Sequence, residues 1–307
     1  MPKPPSKIST TVRAFLSLTL LRLTHRIGGW VAPAATIEHA AALFCTPYPG
    51  ARPRALQAPT GPARIEMLEL EGGRIAQYVW GDPSREPYIL FSHGWSSHGA
   101  RLLPWMERLR AAGYALVAFD QDGHGRSDGT RTHLPGFIAR LLEFGQRHGP
   151  AAAVIGHSLG GAAAALALAR GLRADTAILI APAADPLAAG QRFARQVGLS
   201  APLRRRMFAQ FETRLSMRFT ELLPERNAPR IACPVLVVHD LEDREVPWGE
   251  GERWARYWRG ARLLSTRGLG HHRILDDPGV IIAGLDFLAG RTVGQRVVST
   301  HDLACVA

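Results

Sequence analysis

From about residue 64 onward, short apolar runs alternate with stretches of helical spacing. Arg64–Leu70 and Arg74–Trp80 flank Gly72-Gly73 and read as two strands around a tight turn. Tyr88–Ser92, Ala115–Phe119, Ala152–Gly156, Thr176–Ala181, Pro234–His239 and Ala261–Ser265 are further strand candidates. The intervening segments Ala100–Ala112, Pro135–His148, Leu159–Ala169, Gly249–Trp258 and Pro278–Leu288 place apolar residues at helical intervals. Strands without polar alternation must be covered on both faces. Together with the strand–helix alternation, this predicts an α/β fold: a mostly parallel sheet with helices on both sides.

Two regions depart from that rhythm. Between the strands ending near 185 and starting at 234 lies a long stretch with helical patterning alone, carrying Phe193, Val197, Leu203, Met207, Phe208, Phe211, Leu215, Met217 and Phe219. A simple crossover does not need that length. Residues 186–233 are therefore expected to form a helical cap inserted before the strand that carries the acidic loop, with most of these side chains packing it down. At the other end, Val12, Phe15, Leu16, Leu20, Leu23 and Ile27 fit a helix with one apolar side. Arg22, His25 and Arg26 interrupt the apolar stretch, so it does not read as a signal peptide. The preferred reading is a helix lying on the core, with a peripheral membrane anchor as the lesser alternative. Pro47, Pro49, Pro53, Pro59 and Pro62 suggest an extended connector. The expected division is residues 1–63 as N-terminal helix and connector packed on the core, 64–185 and 234–290 as the core, 186–233 as the cap, and 291–307 as a tail.

With 307 residues, 46% apolar and 21% charged, the chain has ample material for a buried core. No uncharged apolar run reaches 18 residues. The formal net charge is +11, and Lys3 and Lys7 are the only lysines among 37 basic residues. Apart from Arg204-Arg205-Arg206 the arginines look scattered, so the excess reads as a compositional bias and no nucleic-acid partner is expected. Cys45, Cys233 and Cys305 are odd in number, far apart and without metal spacing, as for reduced thiols in the cytoplasm.

The candidate chemistry centres on Gly156-His157-Ser158-Leu159-Gly160, a G-x-S-x-G between a predicted strand and a predicted helix. A serine on such a turn is lifted above the sheet edge, and the following helix N-terminus favours developing negative charge. The hydroxyl needs a base, and the base needs an orienting carboxylate. Gly270-His271 follows the last predicted strand, and His271 is preferred to the adjacent His272. The loop His239–Pro247 holds four acidic residues, of which Asp243 is the first candidate and Asp240 the second; Asp185, after the preceding strand, is the third. An oxyanion requires two backbone N–H groups. Leu159, after the serine, and Trp95, in Ser92-His93-Gly94-Trp95, are the candidates. Glycines at 123, 125 and 129 do not make a dinucleotide fingerprint, so that segment reads as a structural turn.

These segments together resemble the α/β-hydrolase superfamily over roughly residues 64–290. His93-Gly94-Trp95 is similar to its H-G-x oxyanion motif, Asp120–Ser127 to its D-x-x-G-x-G-x-S turn, and His239–Pro247 to its acid loop. The order Ser158, Asp243, His271 is that superfamily's order, and the acid-loop match selects Asp243. Asp240 stands where the superfamily usually has glycine. The resemblance implies a serine hydrolase cleaving a carboxylic ester or thioester, with no metal or organic cofactor; the apolar residues of the cap and Trp95 point to a small-molecule ester with an apolar acyl or alcohol group. Acyl transfer with the same residues is the alternative, and a ligand-binding protein that has lost catalysis is the reading from a different class.

Overall fold

The alternation of apolar runs and helical stretches builds a nine-stranded sheet in the computed structural model, which describes residues 7–297. In chain order the elements are α1 (Lys7–Val31), α2 (Pro33–Phe44), α3 (Ala51–Gln57), β1 (Arg64–Leu70), β2 (Gly73–Trp80), β3 (Tyr88–Ser92), α4 (Leu103–Ala111), β4 (Ala115–Phe119), α5 (Leu134–His148), β5 (Ala151–His157), α6 (Leu159–Ala169) and β6 (Ala174–Ile180). They continue with α7 (Pro186–Val197), α8 (Ala201–Leu215), α9 (Pro224–Asn227), β7 (Val235–Asp240), α10 (Trp248–Tyr257), β8 (Arg262–Thr266), α11 (Gly270–Arg273), α12 (Pro278–Leu288) and β9 (Gln295–Arg296).

The chain divides into two units, residues 46–184 with 222–307 and residues 1–45 with 185–221. The larger unit holds the sheet, in the order β1-β2-β4-β3-β5-β6-β7-β8-β9. β3 to β8 run parallel, while β1, β2 and β9 pair antiparallel at the edges. Side chains alternate between the faces of each strand. One face packs with α4 and α12 in a cluster that includes Trp80, Phe91, Trp105, Ile155, Leu236, Val238 and Ile281. On the other, Phe119 of β4 stacks on Phe144 of α5 with ring centroids 4.0 Å apart. Helix α6, between β5 and β6, is buried from Gly160 to Leu168. Its run of Ala and Gly lets it lie close to the strands, and burying it all round leaves no amphipathic stripe to read.

The smaller unit joins α1 and α2 to α7 and α8. Phe44, ending α2, lies 5.0 Å from the ring of Phe193, 5.9 Å from Phe208 and 6.0 Å from Phe211. His25 of α1 reaches the carbonyl of Val197 at 2.9 Å, and Arg22 Nε donates to Gln196 O at 2.8 Å. These boundaries differ from the expected ones. The stretch 1–63, expected to pack as one piece on the core, is split: residues 1–45 group with the insertion, and 46–63 with the sheet. The proline-rich connector is not simply extended, since α3 forms within it. Pro53 is its third residue, where a missing N–H costs no intrahelical bond. Arg52 then ties α3 down by donating to Ser127 O at 2.8 Å and Gly129 O at 2.7 Å. The expected tail supplies β9, and Cys305 lies outside the described residues.

Candidate active site

β5 hands over to α6 at Ser158, whose backbone takes φ 56° and ψ −121°. Such a conformation costs a non-glycine residue on the order of 1–3 kcal/mol and persists only where the surroundings enforce it. The neighbours enforce it here. A Cβ on Gly160 would lie 2.2 Å from Ser92 O and 2.3 Å from His93 O, and one on Gly156 would lie 2.6 Å from Gly160 O. The two glycines therefore let β3, β5 and α6 meet at one point, with the serine at the apex.

Three loops converge on that serine. His271, in the single turn of α11 after β8, has Nε2 2.9 Å from Ser158 Oγ. Its Nδ1 lies 2.7 Å from Asp243 Oδ2. The hydroxyl thus donates to Nε2, and Nδ1–H donates to the carboxylate. Asp243 Oδ1 accepts the backbone N–H groups of Glu245 at 2.9 Å and Val246 at 3.0 Å. Burial opposes ionisation of Asp243, but hydrogen bonding from His239, His271 and the Val246 N–H outweighs it and holds the carboxyl well below the usual range. Ser158, Asp243 and His271 are all buried.

The other candidates lie elsewhere. His272 turns to Glu245, with Nε2 2.8 Å from Oε1. Asp240 does not face His271; its Oδ2 accepts Thr266 Oγ1 at 2.7 Å and Leu269 N at 3.0 Å, and its Oδ1 accepts Glu242 N at 2.9 Å. It pins the segment leading to His271. Asp185 caps α7, accepting from Leu187 N and Ala188 N.

Leu159 N–H opens α6 directly after the serine, and among the described residues neither it nor Trp95 N–H meets a backbone or side-chain acceptor. Gly94 brings Trp95 close, since a Cβ there would lie 3.0 Å from Ser158 Cβ. The indole of Trp95 packs edge-on to His124 and beside Phe137, with centroids 5.3 Å and 6.3 Å away.

Four histidines that sequence reading did not single out for this site hold it in shape. His93 Nε2 accepts Gln121 N at 3.0 Å while Nδ1 bonds Gly94 O at 2.7 Å. His124 Nε2 accepts Ser96 N at 3.0 Å while Nδ1 bonds Asp122 O at 3.0 Å. Both rings fasten the 93–97 loop to the 120–127 turn, and both need one bare nitrogen. His157 Nε2 bonds the carbonyl of His271 at 2.8 Å, and His239 Nε2 bonds Val246 O at 2.9 Å. Burial pushes His124 down to about 4 and His157 down to about 3, and lowers His93 well below the ordinary imidazole value. The 120–127 turn is itself set by Asp120, which accepts Tyr78 Oη, Gly99 N and Arg126 N at 2.7–2.8 Å. Among the described residues, no group of three or more His, Cys, Asp and Glu side chains could hold a metal ion. Burial raises the Cys233 thiol to about 11, which makes it a poor nucleophile near neutral pH.

A family model of serine aminopeptidase, S33, matches residues 83–222. The chain is 36% identical over 100 residues to a monoacylglycerol lipase of Mycolicibacterium smegmatis, covering 29% of this chain and 35% of that one. It is 36% identical over 137 residues to a pimeloyl-[acyl-carrier protein] methyl ester esterase of Xanthomonas oryzae pv. oryzae, covering 42% and 47%. The chain thus matches less than half the length of each of these relatives. Among solved structures, a bacterial membrane phospholipase A superposes with a TM-score of 0.59 at 18% identity, covering 91% of this chain and 98% of that one.

Proposed function

We propose that this chain, whose sheet and nucleophile turn resemble those of the α/β-hydrolase superfamily, hydrolyses carboxylic esters through an acyl-enzyme on Ser158. The observation that carries this reading is the continuous line from Ser158 Oγ through His271 to Asp243, at 2.9 Å and 2.7 Å. The names of the two relatives, a lipase and a methyl ester esterase, support esters as the substrate class.

Ser158 Oγ attacks the carbonyl carbon and passes its proton to His271 Nε2. Asp243 holds the ring's tautomer and stabilises the imidazolium. The N–H groups of Trp95 and Leu159 bind the developing oxyanion, aided by the N-terminal end of α6. The tetrahedral species collapses, the C–O bond to the alcohol breaks, and the alcohol leaves with the proton from His271. Water then attacks the acyl carbon, gives its proton to His271, and collapse returns that proton to Ser158 as the acid departs.

The test is a panel of p-nitrophenyl esters of graded acyl length beside aminoacyl p-nitroanilides, run with wild type and Ser158→Ala. Ester hydrolysis by the wild type and a loss on the order of 10⁶-fold in kcat in the variant are expected. Cleavage of the anilides alone would sink the ester assignment. Ester turnover that survives Ser158→Ala would sink the nucleophile.

A further inference from the structure

The smaller unit turns an apolar face of α1 outward. One side of that helix is packed. His25 is buried, and Gly28 and Gly29 sit so close to Thr36 and Leu203 that a Cβ would lie 2.6 Å and 2.8 Å from their side chains. The opposite side carries Leu16, Leu20, Leu23, Ile27, Trp30 and Val31, all exposed, with Leu20 at 65% and Trp30 at 91%. At helical spacing these six fall within an arc of about 100° and run for about 22 Å. A packed surface helix of a water-soluble domain puts this stripe inward, and contiguous apolar patches on such surfaces mark interaction sites.

Charge indicates what covers it. The unit's 82 residues hold 12 of the chain's 37 Lys and Arg but only four of its 26 Asp and Glu, a formal +8 of the total +11. Arg26 borders one edge of the stripe and is exposed, while Arg22, further round the helix, donates to Gln196 O. Arg204, Arg205 and Arg206 follow Leu203, whose side chain rests against Gly29 of α1. None of Arg26, Arg204, Arg205 and Arg206 meets a carboxylate among the described residues. Two copies of this unit, each with a formal +8, would repel one another, and a nucleic acid would leave the leucines uncovered. A bilayer with anionic headgroups satisfies both features.

We propose that this four-helix unit docks on an anionic lipid surface. α1 lies in the plane of the interface, its Leu16–Val31 stripe among the upper acyl chains, with Arg26 and the Arg204–Arg206 run at the headgroup phosphates. The docking proposed is peripheral; no helix among the described residues is long and apolar enough to cross a membrane. It stands independently of the chemistry assigned to Ser158.

The test is flotation of the full chain with vesicles of pure phosphatidylcholine and of equimolar phosphatidylcholine and phosphatidylglycerol, beside light scattering of the lipid-free protein. Binding to the phosphatidylglycerol vesicles is expected, weakening as NaCl rises from about 0.05 M to about 0.5 M. Leu20→Glu with Ile27→Glu removes two exposed apolar groups and should lower partitioning by roughly a hundredfold, with the circular dichroism spectrum unchanged. Arg204→Glu with Arg205→Glu should reduce binding and its salt dependence together. Absence of binding to phosphatidylglycerol vesicles overturns the proposal, as does binding indifferent to the Leu20/Ile27 pair. A dimer that the same pair converts to monomer, without vesicle binding, would assign the face to a second copy.

Discussion

Asp240 and Asp243 stand three residues apart at the end of β7, yet their oxygens meet different partners. Asp243 Oδ2 faces His271 Nδ1, whereas Asp240 Oδ2 faces Thr266 and Leu269. Asn at 243 would present an amide where an acceptor is needed and favour the wrong imidazole tautomer. Asp243→Asn is therefore expected to lower kcat by about 10⁴-fold while the chain stays folded. Asp240→Asn should act the other way round. It leaves buried donors of Thr266 or Leu269 without an acceptor, costing about 1–3 kcal/mol, with a smaller effect on kcat. Urea unfolding and ester turnover on both variants check this, and similar kcat losses would remove the distinction. Spacing alone left these two carboxylates open, and family resemblance chose between them. Gly156–Gly160 was readable because its constraint is local: a strand, a turn and a helix within a few residues. The histidines at 93, 124, 157 and 239 were not readable as supports, because each acquires its role from a loop distant in sequence.

At the level of elements, the site depends on loops tied together by uncharged imidazoles. His93 and His124 each accept a backbone N–H, so a second ring proton breaks a tie between the 93–97 loop and the 120–127 turn. Their folded values lie below the ordinary 6.5, at about 4 for His124, and His157 is held at about 3. In this range the unfolded chain binds more protons than the folded one. Stability is complete above about pH 6.5 and falls as the pH drops towards 4 and below, by up to about 1.4 kcal/mol per pH unit for each group. Unfolding free energies measured between pH 8 and pH 4 should decline from near 6.5, well before ordinary carboxylates titrate. His124→Gln keeps a side-chain acceptor without the titration and should flatten that decline; an unchanged slope would contradict the assignment. The sheet was the most legible part of the fold, since its apolar runs have only one use. The first turn of α3 was less so, because prolines there are compatible with both a connector and a helix start.

At the scale of the whole molecule, the smaller unit is made of two stretches far apart in the chain, residues 1–45 and 185–221. The pattern of each stretch was visible in the sequence, but their pairing was not, since nothing local to α1 or α8 says which apolar surface it will meet. Even the charge looked dispersed along the chain and is concentrated only once the two stretches are brought together. The pairing makes a prediction about cooperativity. Phe44 ends α2 and contacts Phe193, Phe208 and Phe211 from the other stretch. Phe44→Ala removes the ring those three share and should cost about 2–4 kcal/mol, at the lower end because Phe44 is half-exposed. If the stretches form one cooperative unit, amide exchange should accelerate together in α1, α2, α7 and α8, while β3 to β7 keep their protection. Faster exchange confined to α2 would mean the stretches are held independently. Acceleration through β5 and α6 as well would mean the ring supports the larger unit too. The expected pattern would leave ester turnover on a short-chain substrate near the wild-type rate, because Ser158, Asp243 and His271 all belong to the larger unit.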